Sequence, residues 1–590
     1  MDKATRKIIF NPPKKSDKLL QYVWKYKKEF IFTAISGILY NTIIVLGPIF
    51  QGKLLDSAVE AKDVWEIVLA GINFILITLA FQFARFFKRY YVRDMANCIS
   101  GDMRIGIMDS ILKTNLNTLE KKKVGDMMST TIGDVDIVVE AVRKTITELW
   151  DTWVLMIAYF VALMFYDVKI TLIASIPIPL SIFVAQLMKN FVQSKNKLSR
   201  KASSKTISQI RSMISETNTL RLYGREEAEL ERLKYKLEDQ TKKATTAAVL
   251  KSGLGPIYSA LATLGIILVV AFGSKEVIEG TWTIGTFTAF ITMFTSLATR
   301  TTTAAKVFNI QQGAKASWER IKGLIRKDYE KNEEIPKHSI RFQKVKVSDL
   351  SFSYPVSSQY AVRNLYFNVE RGMIVGITGA VGSGKSALAL ALTGLYDYEG
   401  SISIDDIELR DIKEKHKCAT ISYMGHNPFL FSETIKNNIT WGDKENKELL
   451  DKVLHISLLE EDIKNMEKGR DTEVGEEGKK VSGGQKQRIG LARALYKNGD
   501  IVILDDPFSA VDIRTESRII ERLRENCKDK IIFIFSHRLD VFKYTDMVMV
   551  LDKGNLVQQG HHNDLVKQQG IYRSIIESQE FLGGEGYEEK

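Results

Sequence analysis

Six long stretches without a charged side chain mark the first half of the chain. They comprise residues 31–50, 67–84, 152–166, 170–188, 252–274 and 280–299. A helix that crosses a bilayer needs about 20 apolar residues, within a range of roughly 17–25. Five of the stretches have this length, and we expect the helix of the third to begin before Glu148 and Asp151. The pattern predicts a membrane domain with six spanning helices.

The connections between these stretches indicate how the domain is oriented. Short loops join spans 1 and 2, 3 and 4, and 5 and 6, whereas two long segments rich in Lys and Arg join spans 2 and 3 and spans 4 and 5. Because cytoplasmic segments carry an excess of Lys and Arg, we expect both segments and both termini on the cytoplasmic side. Apolar residues at helical spacing in 208–233 predict that the helices extend beyond the bilayer. Residues 16–30 predict an amphipathic helix on the inner surface.

Polar side chains inside the spans allow two interpretations each. Thr288, Thr292, Thr295 and Thr299 form one stripe on span 6, while Phe287, Phe290 and Phe294 occupy another face. The threonines either pack helices together or line a cavity with hydroxyl groups. Charge inside a membrane is costly and often functional, so Glu148 and Asp151 either serve a function there or lie in water or among headgroups at the cytoplasmic end of span 3. The prolines of "PIP", residues 177–179, predict a distortion of span 4.

The second half of the chain alternates short apolar strands with helices, which predicts an α/β domain. The motif "GAVGSGKS", Gly379 to Ser386, matches G-x-x-x-x-G-K-[ST] and follows the apolar run MIVGIT. Backbone N–H groups of such a loop surround phosphate oxygens, and the N-terminus of the next helix adds favourable partial charge. We expect Lys385 to reach the outer phosphates of a nucleotide and Ser386 to ligate Mg²⁺.

Two further motifs point to the same chemistry. In "IVILDD", residues 501–506, Asp505 is positioned to hold Mg²⁺ and Asp506 stands where a catalytic base is expected. In "KKVSGGQKQRIGLARAL", residues 479–495, Ser482, Gly483 and Gly484 precede a helix and predict a second phosphate-facing loop. The two loops lie far apart in the chain, so two copies facing head-to-tail would let each loop complete the other copy's site.

Together, these motifs resemble the ATP-binding cassette family, specifically its half-size exporters, over nearly the whole chain. The resemblance implies ATP and Mg²⁺ as cofactors, His537 as the histidine that contacts the γ-phosphate, and Asp512 at the end of a loop that crosses to the partner. Residues near 120–130 and 207–216 would couple the two domains, and spans 4 and 5 would cross to the partner. The nucleotide-binding residues that it implies are Tyr354, Gly379, Gly382, Ser383, Gly384, Lys385, Ser386, Ala387, Asp505, Ser482, Gly483, Gly484 and Gln485.

Some of these roles have simpler alternatives. Tyr354 would stack on adenine, or it is an ordinary strand aromatic. His537 is otherwise a core histidine.

The chain departs from the family pattern at its own phosphate site. Asp506 stands where the family has Glu, and His426 stands where it has Gln, while Val481 replaces a common Leu. Aspartate is one methylene shorter, and a misplacement of roughly 1 Å can cost about 10²-fold in rate. We therefore expect catalytic roles for Asp506, His426 and His537 in a slow, ATP-retaining half of a heterodimer whose partner site is competent. His426 is alternatively a replacement without consequence.

Other classes of function remain as alternatives. They are a homodimeric exporter with two active sites and an ATP-gated channel or regulatory module. The net charge of +12 also suits nucleic-acid binding, but the apolar spans have no role there. Three separated cysteines, Cys98, Cys418 and Cys527, indicate neither a disulfide framework nor a zinc site. We expect a bacterial cell-membrane protein that exports hydrophobic or amphiphilic substrates, with the direction resting on the resemblance alone.

The predicted organisation has five parts. These are a cytoplasmic amphipathic segment at 1–28, a transmembrane domain at 29–322, a linker at 323–343, a nucleotide-binding domain at 344–582 and a tail at 583–590. No cleavable signal peptide is visible, because the first 28 residues are polar and basic.

Overall fold

The computed structural model describes residues 10–13, 17–60, 63–325, 342–357, 359–441 and 445–584. These residues form two compact units. The first unit contains the described residues up to Leu112 and from Val124 to Ile325. The second contains Lys113–Lys123 and the described residues from Phe342 onward. The polar stretch 326–339, on which the predicted linker was based, lies outside the described residues.

The first unit consists of helices. They are α1 (Leu19–Lys25), α2 (Lys27–Glu60), α3 (Val64–Leu112), α5 (Val124–Ser129), α6 (Val135–Glu148), α7 (Leu155–Tyr166), α8 (Val168–Ser175), α9 (Pro177–Ser215), α10 (Thr217–Leu222), α11 (Glu226–Ile278) and α12 (Ile284–Lys322), while the short α4 (Leu116–Leu119) belongs to the second unit. Two π-helical turns, Thr130–Asp134 and Leu149–Val154, join α5, α6 and α7 into one continuous rod.

The six apolar stretches fall in helices of this unit, although the fourth is divided between α8 and α9 and the sixth begins before α12 starts at Ile284. Within the described residues, four helical segments are long and apolar enough to cross a membrane: Lys27–Val59, Val64–Leu112, Val124–Tyr166 and Glu226–Ile278. The third of these begins far before Glu148, as predicted. Span 4 is interrupted where α8 ends and Pro177 begins α9, so the predicted distortion is confirmed.

Two predicted helices are each divided in the structure. The segment 16–30 does not form one amphipathic helix, because α1 ends at Lys25 and Tyr26 leaves helical geometry at φ −102° and ψ 40°. Most residues of the segment 208–233 are helical, but they belong to three helices: the end of α9, the short α10 and the start of α11. The chain changes direction between α9 and α11. Gly224 adopts φ +58° in this turn, a conformation that a side chain disfavours.

Phenylalanines of α12 pack against neighbouring helices of the unit. Phe290 and Phe294 are almost fully buried, and a Cβ at Gly265 of α11 would lie 2.7 Å from the Phe294 ring. The threonine hydroxyls instead donate to carbonyl oxygens one turn earlier in α12, at 2.8–2.9 Å for Thr288, Thr292, Thr295 and Thr299. Thr288 and Thr292 are half-buried, whereas Thr295 and Thr299 are exposed.

Asp151 lies inside the helical unit, and the interpretation that places it in open water is wrong. Its carboxylate forms an ion pair with Lys88, and both residues are buried. The Lys88 ammonium also lies 4.1 Å from the Tyr40 ring centroid. Asn41 donates a hydrogen bond of 3.0 Å to the carbonyl oxygen of Trp150, in the π-helical turn that carries Asp151. Charge neutralisation and hydrogen bonding thus hold this irregular turn in an apolar environment.

The second unit contains two sheets and the helices that cover them. Its strands are β1 (Lys344–Ser353), β2 (Tyr360–Glu370), β3 (Ile374–Gly379), β4 (Glu399–Ile404), β5 (Ile407–Glu408), β6 (Ile421–Met424), β7 (Ile501–Asp505), β8 (Ile531–Phe535), β9 (Met547–Asp552) and β10 (Asn555–Gly560). Its remaining α-helices are α13 (Lys385–Leu392), α14 (Glu414–Thr420), α15 (Ile435–Thr440), α16 (Lys447–Ile456), α17 (Glu460–Lys464), α18 (Gly483–Tyr496), α19 (Ile513–Asn526), α20 (His562–Lys567) and α21 (Ile571–Gly584).

The larger sheet is parallel except at one edge. Its strand order is β10-β9-β3-β8-β7-β6, and only the β9–β10 pair is antiparallel. Side chains of β7 alternate between two cores: Val502 and Leu504 enter one, and Ile501 and Ile503 enter the other. The sheet is thus buried on both faces, as in α/β proteins. The smaller sheet, β2-β1-β4-β5, is antiparallel. The predicted fold class, a helical transmembrane domain followed by an α/β nucleotide-binding domain, is confirmed.

Lys88→Met is expected to destabilise the protein strongly, because it leaves the buried Asp151 carboxylate without its cation. Breaking a buried ion pair typically costs about 3–5 kcal/mol. The measurement is thermal unfolding of the purified protein in detergent, with Lys144→Met as control, since Lys144 forms a half-exposed pair with Glu140. The double variant Lys88→Met/Asp151→Leu should recover most of the loss. Equal destabilisation by Lys88→Met and Lys144→Met would show that the buried pair matters no more to stability than the half-exposed one.

Candidate nucleotide-binding site

The loop Gly379–Gly384 connects β3 to α13 through backbone conformations that require glycine. Gly379, Gly382 and Gly384 adopt φ values of +148°, +81° and +102°. A Cβ at Gly379 would lie 2.1 Å from the carbonyl oxygen of Leu551, and one at Gly384 would lie 2.5 Å from that of Ala361. The spacing of the motif therefore reflects steric requirements of the turn as well as its phosphate chemistry.

Lys385 and Ser386 open α13 directly after this loop. The Lys385 ammonium donates to the carbonyl oxygens of Gly379 at 2.7 Å and Ala380 at 2.9 Å. Burial lowers the pKa of Lys385, while the carboxylates of Asp506 and Asp505 oppose this effect. The Ser386 hydroxyl donates to the Asp505 carboxylate at 3.2 Å. The structure thus brings together the lysine, the hydroxyl and the first acid of the sequence prediction.

Asp505 and Asp506 end β7 in two different environments. Asp505 is buried, and burial raises its pKa, whereas the hydrogen bond from Ser386 opposes the rise. Asp506 follows with φ +52°, and its N–H donates to the carbonyl oxygen of Phe535 at the end of β8. This left-handed conformation turns the Asp506 side chain away from the line of the strand.

Asp506 lies between the two histidines that the sequence motifs singled out. His426 Nδ1 is 3.2 Å from Asp506 Oδ2, and His537 Nδ1 is 3.2 Å from Asp506 Oδ1. Both imidazoles are about half exposed, while the Asp506 side chain is 14% exposed. Each carboxylate oxygen therefore has an imidazole as its neighbour. His537 is not the core histidine of the alternative interpretation.

The loop at Ser482 forms the N-terminus of α18 and is held by its own side chains. Gln485 N–H donates to the Ser482 hydroxyl at 3.2 Å, and Ser482 N–H donates to Gln485 Oε1 at 3.0 Å. This reciprocal arrangement is a capping box. Gln485 also donates to Asp462 at 2.9 Å. These bonds join the loop to its own helix and to α17, and none of them reaches Gly379–Ser386.

Gly483 and Gly484 lie against the segment that follows Asp506. A Cβ at Gly484 would lie 2.9 Å from the carbonyl oxygen of Ala510, and Ala510 N–H donates to Gln487 at 2.7 Å. Asp512 is the N-cap of α19, where its carboxylate accepts from Thr515 N–H at 3.0 Å. The Ser482 loop and the segment ending at Asp512 therefore form one packed surface.

A cluster of tyrosines lies beside the phosphate loop. Tyr354 is half-buried, and burial raises its pKa, with Asp505 and Glu120 adding to the rise. Tyr423 and Tyr396, which no sequence motif singled out, belong to the same cluster. Burial, Asp505 and Tyr354 raise the pKa of Tyr423. Tyr396 donates a hydrogen bond of 2.5 Å to Glu120, in the segment Lys113–Lys123 that belongs to this unit.

Glu516 and Arg538 are a second pair that sequence reasoning missed. Arg538 follows His537 directly, and its guanidinium donates to Glu516 at 3.0 Å and to the carbonyl oxygen of Val511 at 2.7 Å. Burial raises the pKa of Glu516 to about 7, although Arg538 opposes the rise. The sequence does contain a signal for Glu516, because this residue lies on the apolar face of an amphipathic helix, the face that is buried in α19. The pair connects the His537 loop to α19.

The residues of the phosphate loop fit a magnesium nucleotide. The Ser383 hydroxyl is buried inside the loop and has no hydrogen-bond partner among the described residues, so it is available to a phosphate oxygen. The described residues contain no group of three or more His, Cys, Asp or Glu side chains that could hold a metal by themselves. This suits Mg²⁺, which is typically bound by one or two protein ligands together with water and phosphate oxygens. Ser386 and Asp505 would hold it, and it would offset phosphate charge there.

Comparison with known proteins identifies the class. Residues 30–301 match the family model described as ABC transporter transmembrane region, and residues 362–509 match the model described as ABC transporter. The chain therefore belongs to the ABC transporter family and fuses a membrane domain to an ATP-binding domain. The order and extent of the two domains are those of an ABC exporter.

Relatives match this chain over nearly its whole length. The probable multidrug resistance ABC transporter ATP-binding/permease protein YheI of Bacillus subtilis is 28% identical over 95% of this chain and 97% of its own length. The multidrug resistance-like ATP-binding protein MdlA of Escherichia coli is 27% identical over 95% of this chain and 96% of its own length. An ATP-dependent lipid A-core flippase of Vibrio vulnificus is 27% identical over 85% of this chain and 87% of its own length.

A solved structure has the same fold. A bacterial Atm1-family ABC exporter with ATP bound aligns with a TM-score of 0.81, covering 94% of this chain and 99% of that chain at 20% identity. This likeness concerns the fold alone.

Glu516 is expected to make stability depend on pH. Its folded-state pKa of about 7 exceeds the ordinary value of 4.5, so the folded chain keeps a proton that the unfolded chain has already released. Stability should therefore fall by up to about 3 kcal/mol as the pH rises from about 4.5 to 7. Glu516→Gln removes this titration and should flatten the pH dependence of the unfolding temperature.

The measurement is calorimetric unfolding of the purified protein at several pH values between 5 and 8. Glu521→Gln, an exposed residue of the same helix, is the matched control and should keep the wild-type profile. An unchanged pH profile in Glu516→Gln would show that this carboxyl group does not titrate as described.

Proposed function

We propose that this chain is one subunit of an ATP-driven exporter and forms the low-hydrolysis half of a heterodimer. Its own phosphate loop, with Lys385 and Ser386, and the end of β7 at Asp505 would bind ATP and Mg²⁺ and retain them. Its Ser482–Gln485 loop would complete the competent ATP site of a second half-transporter. Closure of the two cassettes on ATP would drive alternating access in the membrane domains, and hydrolysis at the partner's site would reset it.

The observation that carries this proposal is the environment of Asp506. A general base must reach the attacking water, and aspartate is one methylene shorter than the glutamate usual in the family. In addition, His426 and His537 lie 3.2 Å from its two oxygens, so the imidazoles would compete with a water molecule for the carboxylate. These two effects act in the same direction and slow proton abstraction.

Nucleotide binding does not depend on these departures. The contacts of Lys385, Ser386 and the loop glycines involve Gly379, Ala380 and Asp505 rather than His426. Tyr354 is proposed to stack on the adenine ring from its half-buried position in the tyrosine cluster. The site is thus suited to bind ATP while hydrolysing it slowly.

The Ser482 loop supports the second part of the proposal. Its capping box engages the N–H groups of Ser482 and Gln485, and those of Gly483 and Gly484, at the start of α18, would suit an anion. Since its own bonds do not reach Gly379–Ser386, the phosphate that it recognises would be the partner's. Asp512, at the end of the adjoining segment, would face the partner cassette.

The proposed substrates are hydrophobic or amphiphilic. Two of the relatives are named for multidrug resistance, and another is named as a lipid A-core flippase. Compounds of both kinds partition into a bilayer. On α12, the threonine face carrying Thr295 and Thr299 is exposed and would contribute a polar wall to the transport path. We place both termini and the ATP-binding domain in the bacterial cytoplasm, because Lys/Arg-rich connections are typical of that side of the membrane.

The heterodimer predicts the composition of the native complex. Purification through a tag on this chain from its own host should yield one equimolar second half-transporter. Native mass spectrometry gives the mass and the stoichiometry, and peptide sequencing identifies the partner. A complex that contains two copies of this 66.8 kDa chain and no partner would favour the homodimeric exporter with two active sites.

Asp506→Asn is expected to change the ATPase rate of the assembled transporter little, because this site contributes little turnover. Asp506→Glu should raise turnover at this site by up to about 10²-fold, provided that the partner's loop is functional. The ATPase rate and the amount of ATP retained after rapid gel filtration give both values, and Lys385→Ala serves as the control that loses binding. Complete loss of turnover in Asp506→Asn would contradict a slow site.

Uphill transport in vesicles distinguishes an exporter from an ATP-gated channel.

A further inference from the structure

An apolar cavity of about 500 Å³ lies in the helical unit among α1, the start of α2, α6 and α12. Its walls are carbon-rich and include Val23, Trp24, Val142, Ile146, Ala314 and Trp318. The volume is within the range of small-molecule sites, roughly 300–1,000 Å³. The ATP-binding site belongs to the other unit, so this cavity is a separate feature.

The residues at the opening of the cavity are of the types that proteins place at a membrane surface. Leu20 and Trp24 of α1 are 71% and 66% exposed, yet both also line the cavity. The exposed Lys27 and Lys28 are the first residues of α2 and are separated from α1 by Tyr26. Tryptophan and lysine together are typical of the headgroup level of a bilayer. The cavity therefore opens at a surface where amphiphilic molecules concentrate.

Lys315 gives the cavity a preference for a ligand with negative charge. It is the charged residue among the described lining residues, and its side chain is exposed at the edge of the apolar walls. A lysine beside a carbon-lined cavity suits a ligand with one anionic group and one apolar chain. A volume of about 500 Å³ holds a single long acyl chain.

We propose that this cavity binds a long-chain fatty acid anion, with the acyl chain among Val142, Ile146 and Trp318 and the carboxylate on Lys315. Since the cavity connects α1 at the membrane surface with α6 and α12, its occupant would tie these helices together. The site would thus make the transporter sensitive to the free fatty acid content of the inner leaflet. This inference does not depend on the slow ATP site.

Trp318 provides a direct readout, because it lines the cavity and is only 8% exposed. The full transporter in nanodiscs is titrated with 11,12-dibromostearate, whose bromines quench nearby tryptophans, and with its uncharged methyl ester. The signal of Trp318 is the difference between wild type and Trp318→Phe. Dibromostearate should quench this signal, and the methyl ester should need about fivefold higher concentration, as expected for one lysine contact near the surface.

Variants separate this site from general partitioning into the membrane. In Lys315→Ala, dibromostearate and its methyl ester should quench Trp318 at equal concentrations. Lys322→Ala changes a lysine of the same helix that does not line the cavity, and it should keep the fivefold difference in concentration. Ala314→Leu, which fills the cavity, should abolish Trp318 quenching. Absence of Trp318 quenching in wild type would overturn the site. Equal quenching by the ester would overturn the carboxylate contact, and equally strong quenching by brominated phosphatidylcholine would overturn the preference for a single chain.

Discussion

The ATP-binding half of this protein depends on one geometric constraint: parallel strands end at the same edge of a sheet. β3, β7 and β8 are neighbours, and their carboxyl ends bring Gly379, Asp505 and Phe535 together. Because β3 ends there, the phosphate loop and α13 begin there. Because β8 ends there, its last carbonyl fixes the Asp506 N–H and the loop to His537 starts beside it. Residues that are more than a hundred positions apart meet through backbone pairing alone.

At that edge, the residues that differ from the usual family pattern, Asp506 and His426, lie beside a phosphate loop of ordinary composition. The loop glycines, Lys385, Ser386 and Asp505 have the conformations and contacts that phosphate and magnesium binding require. Asp506 and its two histidine neighbours alter only the position where a water molecule would be activated. The residues proposed to bind phosphate and Mg²⁺ are therefore different from those proposed to activate water.

Local motifs were predictable because short-range sterics determine them. The strand before Gly379, the helix after Lys385 and the helix after Ser482 follow from residues within a few positions of each other. The motifs placed His426, Asp506 and His537 near one phosphate but did not predict that both imidazoles contact the same carboxylate. Nothing local encodes the pairing of Lys88 with Asp151 or of Tyr396 with Glu120. Such contacts depend on tertiary packing, which periodicity does not report.

The two π-helical turns in the rod from Val124 to Tyr166 have a rotational consequence. A π turn accommodates one extra residue, and each residue of an α-helix corresponds to about 100° of rotation about the axis. The residues beyond each turn therefore face a direction that counting along a regular helix would misjudge. Resolving either turn into α-helical geometry would twist one part of the rod against the other without breaking it. The buried Lys88–Asp151 ion pair fixes the second of these turns, Leu149–Val154, to α3.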